Sequence, residues 1–158
     1  MKSNLDGKNT SLCYIEKDGA YLMMHRVKKQ NDINKDKWVG IGGKFESGET
    51  PFECAYREIK EETGVTPKNL KYRGLVTFTS NLFGTEYMHL FTADGYEGKL
   101  DNNCNEGILE WVKKEDLYTL PVWEGDKIFF RLLETESSFF SLKLVYDGDK
   151  LISSTLEK

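Results

Sequence analysis

Glu58, Glu61 and Glu62 stand at i, i+3 and i+4 within Arg57-Glu58-Ile59-Lys60-Glu61-Glu62. On a helix that spacing brings their β-carbons to about 5–6 Å on one face, where like charges repel. A hard divalent cation offsets such repulsion, because magnesium takes carboxylate oxygens, keeps several waters and shares its other positions with substrate phosphates. The same three acids on a freely solvated helix face need no ion, so the surrounding residues decide. Upstream, Gly42-Gly43 lets backbone groups approach an ion or a phosphate without side-chain obstruction. Arg57, beside several acids, suits a two-pronged hydrogen bond that orients one carboxylate. The chemistry that fits this set is attack of water on phosphorus, with a metal neutralising the phosphate oxygens and no covalent nucleophile. The base that takes the proton from that water is either Glu58 or a glutamate carried by a distant loop.

A helix must hold these acids, and its signals are present. Thr50 is a capping residue, Pro51 suits the first helical position and Glu53 completes a capping box. Gly64 supplies the left-handed stop. Phe52, Ala55, Tyr56 and Ile59 recur at i, i+3, i+4 and i+7, which predicts that this face lies against a sheet. Elsewhere, SLCYIEKDGAYLMMHRV reads as two strands around Lys17-Asp18-Gly19, and the polar stretch from Lys28 to Lys37 reads as a loop. LKYRGLVTFTS, EYMHLFTADG and ILEWV read as strands. PVWEGDKIFFRLLETE suggests a second helix with Ile128, Leu132 and Phe129 inward, and the chain closes on a hairpin turned at Asp147-Gly148. Strands surround two helices without regular βαβ alternation, so the expected fold class is α/β, a mixed sheet with helices packed on its faces.

At 158 residues, with no internal repeat or long linker, the chain is expected to form one domain over 1–158. A net charge of -4 gives no diffuse basic field, which argues against polymeric nucleic acid and leaves room for a small nucleotide. Cys13, Cys54 and Cys104 are odd in number and lack metal-ligand spacing, so a reducing cytoplasm is expected. His25 and His89 make no credible zinc set, and His89 and Trp38 read as packing residues. No apolar run approaches a membrane span, so neither a signal peptide nor a membrane partner is expected. The oligomeric state stays open.

Gly43, five residues, Glu49, seven residues, then Arg57-Glu58-Ile59-Lys60-Glu61-Glu62-Thr63-Gly64-Val65 resembles the complete signature of the Nudix hydrolases. That resemblance implies a loop-helix-loop magnesium site in an α/β/α sandwich, with Mn2+ as a possible substitute ion, and cleavage of a diphosphate linked to another group. It assigns the Gly42 carbonyl and the Glu58, Glu61 and Glu62 carboxylates to the metals or the attacking water, with Arg57 and Glu49 as structural partners. Glu106, in NCNEGILEW, resembles the family's late acidic ligand. WVGIGGKFESGET, NEGILEWV, VWEGDKIFFRLL and the closing hairpin together resemble the MutT-type branch, which implies hydrolysis of oxidised purine triphosphates, notably 8-oxo-dGTP, to monophosphate and pyrophosphate.

By the same likeness Trp123 stacks near the base, Asp126 bonds its edge, and Arg26 and Lys44 lie near the phosphates. Structural readings stand beside these: Trp123 in the core, Asp126 at a helix amino terminus, Arg26 and Lys44 as surface charges. Two positions depart from the mammalian pattern. Val39 replaces an Asn, and Gly125 leaves Asp126 without an adjacent acid. Other substrates in the family, such as ADP-ribose, dinucleoside polyphosphates or capped RNA ends, and a nucleotide sensor without turnover, remain the alternatives.

Overall fold

A computed structural model describes residues 7–28, 30–102 and 106–157; Cys104 lies outside them. The chain opens with β1 (Lys8–Lys17) and β2 (Ala20–His25), paired with Lys17 opposite Ala20. Asp18 and Gly19 both have positive φ, 53° and 77°, as a two-residue turn between right-twisted strands requires. Short strands β3 (Trp38–Val39) and β4 (Ile41–Lys44) then lead to helix α1 (Pro51–Thr63). After α1 come β5 (Thr66–Pro67), β6 (Lys71–Ser80), β7 (Gly84–Ala93), β8 (Tyr96–Glu97) and β9 (Ile108–Lys113). A 3-10 turn (Lys114–Thr119), helix α2 (Glu124–Thr135), β10 (Phe140–Asp147) and β11 (Lys150–Glu157) complete the chain.

The main sheet runs β11-β10-β6-β7-β1-β2-β3, with β4 also on β1 and β9 on β2. β1 is parallel to β7 and antiparallel to β4, and β10 is parallel to β6, so the sheet is mixed as expected. β5 and β8 form a separate two-stranded pair.

Alternation along β1 divides the core. Cys13 and Ile15 point into a cluster with Ala55 and Ile59 of α1, while Tyr14 points into a second cluster with Phe129 and Phe130 of α2. The two helices therefore cover two faces, giving the α/β/α sandwich. Among the described residues no helix is long and apolar enough to cross a membrane.

Three sequence expectations need correction. On α1 the inward face is Cys54, Ala55, Ile59, Glu62 and Thr63, whereas Phe52 and Tyr56 are exposed at 41% and 43%. Phe52 instead covers the edge of the sheet, its ring against Tyr72 and Phe91. The face is rotated because it seats Glu62 towards β4, a polar demand that an apolar periodicity does not register. On α2, Phe129, Phe130 and Leu133 are buried, with Ile128 and Leu132 only partly so, because the helix also turns Asp126 inward. The closing turn sits at Gly148-Asp149, one residue later than expected, since Asp147 still pairs with Lys150 and Gly148 takes the positive φ.

Candidate active site

The start of α1 folds as its residues dictate. Thr50 Oγ1 accepts from the Glu53 N–H at 3.1 Å, and Glu53 Oε1 accepts from the Thr50 N–H at 2.9 Å. Gly64 ends the helix at φ 80°. Thirteen residues of helix are thus fixed at both ends, and Arg57 lies in their middle.

Arg57 gathers the acids. Its Nε donates to Glu49 Oε2 at 2.6 Å and its Nη2 to Glu49 Oε1 at 2.9 Å. Nη1 reaches Glu58 Oε1 at 2.9 Å and Glu61 Oε2 at 3.1 Å, and Nη2 also reaches the Lys44 carbonyl at 3.0 Å. The fork, helped by the Glu46 N–H, holds the Glu49 carboxyl down at about 2, and the acids push the Arg57 pKa up in turn. The oriented carboxylate expected from the sequence is therefore Glu49.

Glu58 shows the opposite balance. Burial pushes its carboxyl up; Arg57 counters this, and the negative charges of Glu61 and Glu106 add to the rise. The distant-loop acid Glu106 thus acts on Glu58, although some 48 residues separate the two. Glu62 is 7% exposed, and its Oε2 accepts from the Gly42 N–H at 3.3 Å.

The two glycines have different reasons. A β-carbon on Gly43 would lie 2.5 Å from the Glu58 carboxyl carbon, so its absence makes room for the acid. One on Gly42 would lie 1.8 Å from the Ser11 carbonyl oxygen, so its absence lets β4 pair with β1.

Among the described residues no three acidic, histidine or cysteine side chains already converge as a metal cage. Glu58 and Glu61 are turned to Arg57 instead, and Glu62 to the backbone. The donors gathered here are all oxygens, from Glu58, Glu61, Glu62, Glu106 and the Gly42-Gly43 backbone. That composition fits a hard divalent ion and suits neither zinc nor a thiolate-bound metal. Cys54, the nearest thiol, is buried and contacts Ser11 Oγ at 3.3 Å and the Gly43 carbonyl at 3.5 Å; burial pushes it up, away from thiolate chemistry.

Beside these acids opens a cavity of about 920 Å³, lined by Gly42, Gly43, Lys44, Glu58 and Glu62 together with Phe78, Glu86, Glu106, Trp123 and Asp126. Arg26 lines it too, but it is engaged: Nε meets Asp32 at 2.6 Å and Nη1 meets Glu106 at 3.4 Å. Trp123 is 7% exposed, its indole N–H donates to Asn34 Oδ1 at 2.7 Å, and the Lys37 ammonium lies 5.0 Å over its ring. Phe78, Phe83 and Tyr146 meet that ring nearly perpendicular. Trp123 is thus both core and cavity wall. Asp126 is buried and its carboxyl has no hydrogen bond among the described residues; burial pushes it well up, the Glu86 charge adds to this, and Lys37 opposes it.

Trp38 stacks on His25 at 4.4 Å, and His89 bonds Tyr72 and Asn9, so both belong to packing. Sequence reasoning missed Asp32, Asn34 and Glu86. Glu86 had a readable signal, since it shares a strand face with Met88 and Leu90, an acid in phase with apolar neighbours. Asp32 and Asn34 sit in a polar loop, where nothing in the sequence marks one residue above the next.

Residues 7–133 match the NUDIX domain family. The chain is 31% identical over 118 residues to the uncharacterized Nudix hydrolase YvcI of Bacillus subtilis, covering 72% of this chain and 71% of that one. It is 30% identical over 132 residues to the oxidized purine nucleoside triphosphate hydrolase of Danio rerio, covering 82% and 83%. The crystal structure of a Mutator MutT protein from Bacillus halodurans superposes with a TM-score of 0.83 at 28% identity, over 95% of this chain and 97% of that one. With the Arg57-centred acids, the glycine pair and the sandwich in place, these likenesses identify the chain as a MutT-like hydrolase of the Nudix family.

Proposed function

We propose that the protein is a magnesium- or manganese-dependent pyrophosphohydrolase of nucleoside triphosphates, acting on oxidised purines such as 8-oxo-dGTP to give the monophosphate and pyrophosphate. The observation that carries this reading is that Arg57, Glu58, Glu62 and Glu106 line one cavity with Trp123 and Asp126, large enough for a nucleotide. The relatives in Danio rerio and Mus musculus, both named oxidized purine nucleoside triphosphate hydrolase, support the substrate class.

Glu58, Glu61, Glu62 and Glu106, with the Gly42 carbonyl, would hold the metal. When bound, a divalent ion neutralises phosphate oxygens and activates water. Arg57 holds Glu58 and Glu61 side by side on one face of α1, from which they would turn to the metal. Glu58 on the helix, or Glu106 from its loop, both lining the cavity, would take the proton from the attacking water. Lys44, a cavity residue beside the glycine pair, offers a cation to the phosphates, and Arg26 contributes a second positive charge through its clamp on Glu106. Trp123 and Asp126 receive the base.

The test is a pair of isosteric changes, Glu61→Gln and Glu62→Gln. Each is expected to lower metal-dependent turnover by more than about a hundredfold, beyond the usual loss for a group outside the metal's own ligands, with the melting temperature nearly kept. Full activity in both variants would refute the site.

A further inference from the structure

We infer that Glu86 is a base-reading residue that works with Asp126 to recognise a purine lactam edge, a ring carbonyl beside a ring N–H. This rests on the nucleotide reading above and adds a residue and a recognition chemistry to it.

The placement comes from the strands. Glu86 of β7 lies opposite Phe78 of β6 in the antiparallel register, and Phe78 packs at 5.4 Å on Trp123. Thr10, two residues from the β1 partner of Glu86, donates to Glu86 Oε2 at 2.6 Å. One carboxyl oxygen is therefore fixed and oriented, while the other has no hydrogen bond among the described residues. Asp126 arrives from the first turn of α2 and lines the same cavity, with no side-chain hydrogen bond among the described residues. An acid on a strand face otherwise occupied by Met88 and Leu90 is costly to bury unless a ligand completes its hydrogen bonds.

Position 125 cannot supply the second acid. A β-carbon there would lie 2.5 Å from a Leu144 methyl and 2.7 Å from the Tyr146 hydroxyl, which already accepts the Gly125 N–H into its own bond at 2.7 Å. Glu86 brings a second carboxyl to Asp126 from the sheet instead.

Two carboxyls in one sheltered cavity do not both ionise readily. Burial pushes both up; the Thr10 hydroxyl and then Lys44 oppose this at Glu86, Lys37 opposes it at Asp126, and the Glu86 charge adds to the rise at Asp126. Both directions favour a state in which one carboxyl is protonated and the other ionised. A protonated carboxyl donates its O–H to a ring carbonyl and accepts the adjacent ring N–H on its other oxygen. The ionised partner accepts from an exocyclic amine or a second ring N–H. Guanine presents this edge at its 6-position and an oxidised purine presents it at its 8-position; adenine presents it at neither.

The experiment compares kcat/KM for dGTP, dATP and 8-oxo-dATP with magnesium in the wild type, Glu86→Leu and Glu86→Gln, alongside calorimetric binding of dGMP, dAMP and 8-oxo-dAMP without metal. Glu86→Leu is expected to cut the preference for dGTP or for 8-oxo-dATP over dATP by about tenfold, close to 1.4 kcal/mol. Glu86→Gln, whose amide keeps a donor and an acceptor, is expected to retain most of it. The dGTP arm reads the 6-position and the 8-oxo-dATP arm the 8-position; a fall in either ratio supports the pair. Unchanged ratios, or equal losses on all three triphosphates, would overturn it, because a role limited to holding Thr10 lowers every substrate alike. If the wild type hydrolyses no triphosphate, the proposed reaction fails. The monophosphate binding then decides for the pair: selectivity lost in Glu86→Leu upholds it, and selectivity absent or unchanged refutes it.

Discussion

Arg57 grips Glu49 with two prongs, Nε to Oε2 at 2.6 Å and Nη2 to Oε1 at 2.9 Å, and uses its remaining nitrogen to hold Glu58 and Glu61. Arg57→Lys keeps the charge and loses the fork. Metal-dependent turnover should fall about 10–100-fold, with a higher magnesium concentration needed for half-maximal rate. A magnesium titration of both proteins checks this, and coincident curves would contradict it.

The same pair has an acid limit. The Glu49 carboxyl is depressed from 4.5 to about 2, so its contribution to stability is present above pH 4.5 and is lost as pH falls towards 2. Melting curves of the wild type and Glu49→Gln should converge across that interval; a constant gap down to pH 2 would remove Glu49 from the linkage.

Gly42 and Gly43 should separate fold from function. Gly42→Ala drives a β-carbon into the Ser11 backbone, which β4 cannot yield without leaving β1, so the melting temperature should fall by several degrees. Gly43→Ala meets the movable end of Glu58, so the fold should hold while turnover drops. Calorimetry and steady-state rates on the two variants test the contrast, and equal melting losses would refute it.

The helix acids, their cap and their stop were legible because local signals specify them: a capping box, a terminal glycine and a carboxylate spacing; the order of strands and helices pointed to a mixed sheet with helices on its faces, and the sandwich was expected from the family resemblance. The orientation of each helix about its axis was not legible. Phe52 and Tyr56 turned out exposed, and Asp126 turned inward, because burial is decided by what the sheet presents to each face. Glu49 as the partner of Arg57 was expected from the family resemblance; spacing alone allows a loop that folds back eight residues and does not require it. Asn34 bonding Trp123 across 89 residues left no trace in the sequence at all.

Asp126 should cost stability. Its carboxyl is raised well above 3.8 by burial first and the Glu86 charge second, so the folded state binds more protons than the unfolded one and stability falls as pH rises above about 3.9. Asp126→Asn should therefore melt higher at pH 7, by roughly 2–4 °C if the relief is about 1 kcal/mol, with the gain vanishing below pH 3.5. A lower melting temperature at pH 7 would contradict the sign.

Trp123 should report binding. The Lys37 ammonium lies 5.0 Å over its ring, and a base that stacks there must displace it. Adding nucleotide should change tryptophan fluorescence in the wild type and leave Trp123→Phe unchanged, although Trp38 and Trp111 remain in both. A full response in Trp123→Phe would take the base away from this ring.

The most direct measurement is the initial rate of hydrolysis of 8-oxo-dGTP, dGTP and ADP-ribose at low concentration with magnesium, with phosphate-containing products identified by phosphorus NMR. The predicted result is fastest cleavage of 8-oxo-dGTP to the monophosphate and pyrophosphate, abolished by chelation; faster cleavage of ADP-ribose, or release of inorganic phosphate from the triphosphates, would contradict the account.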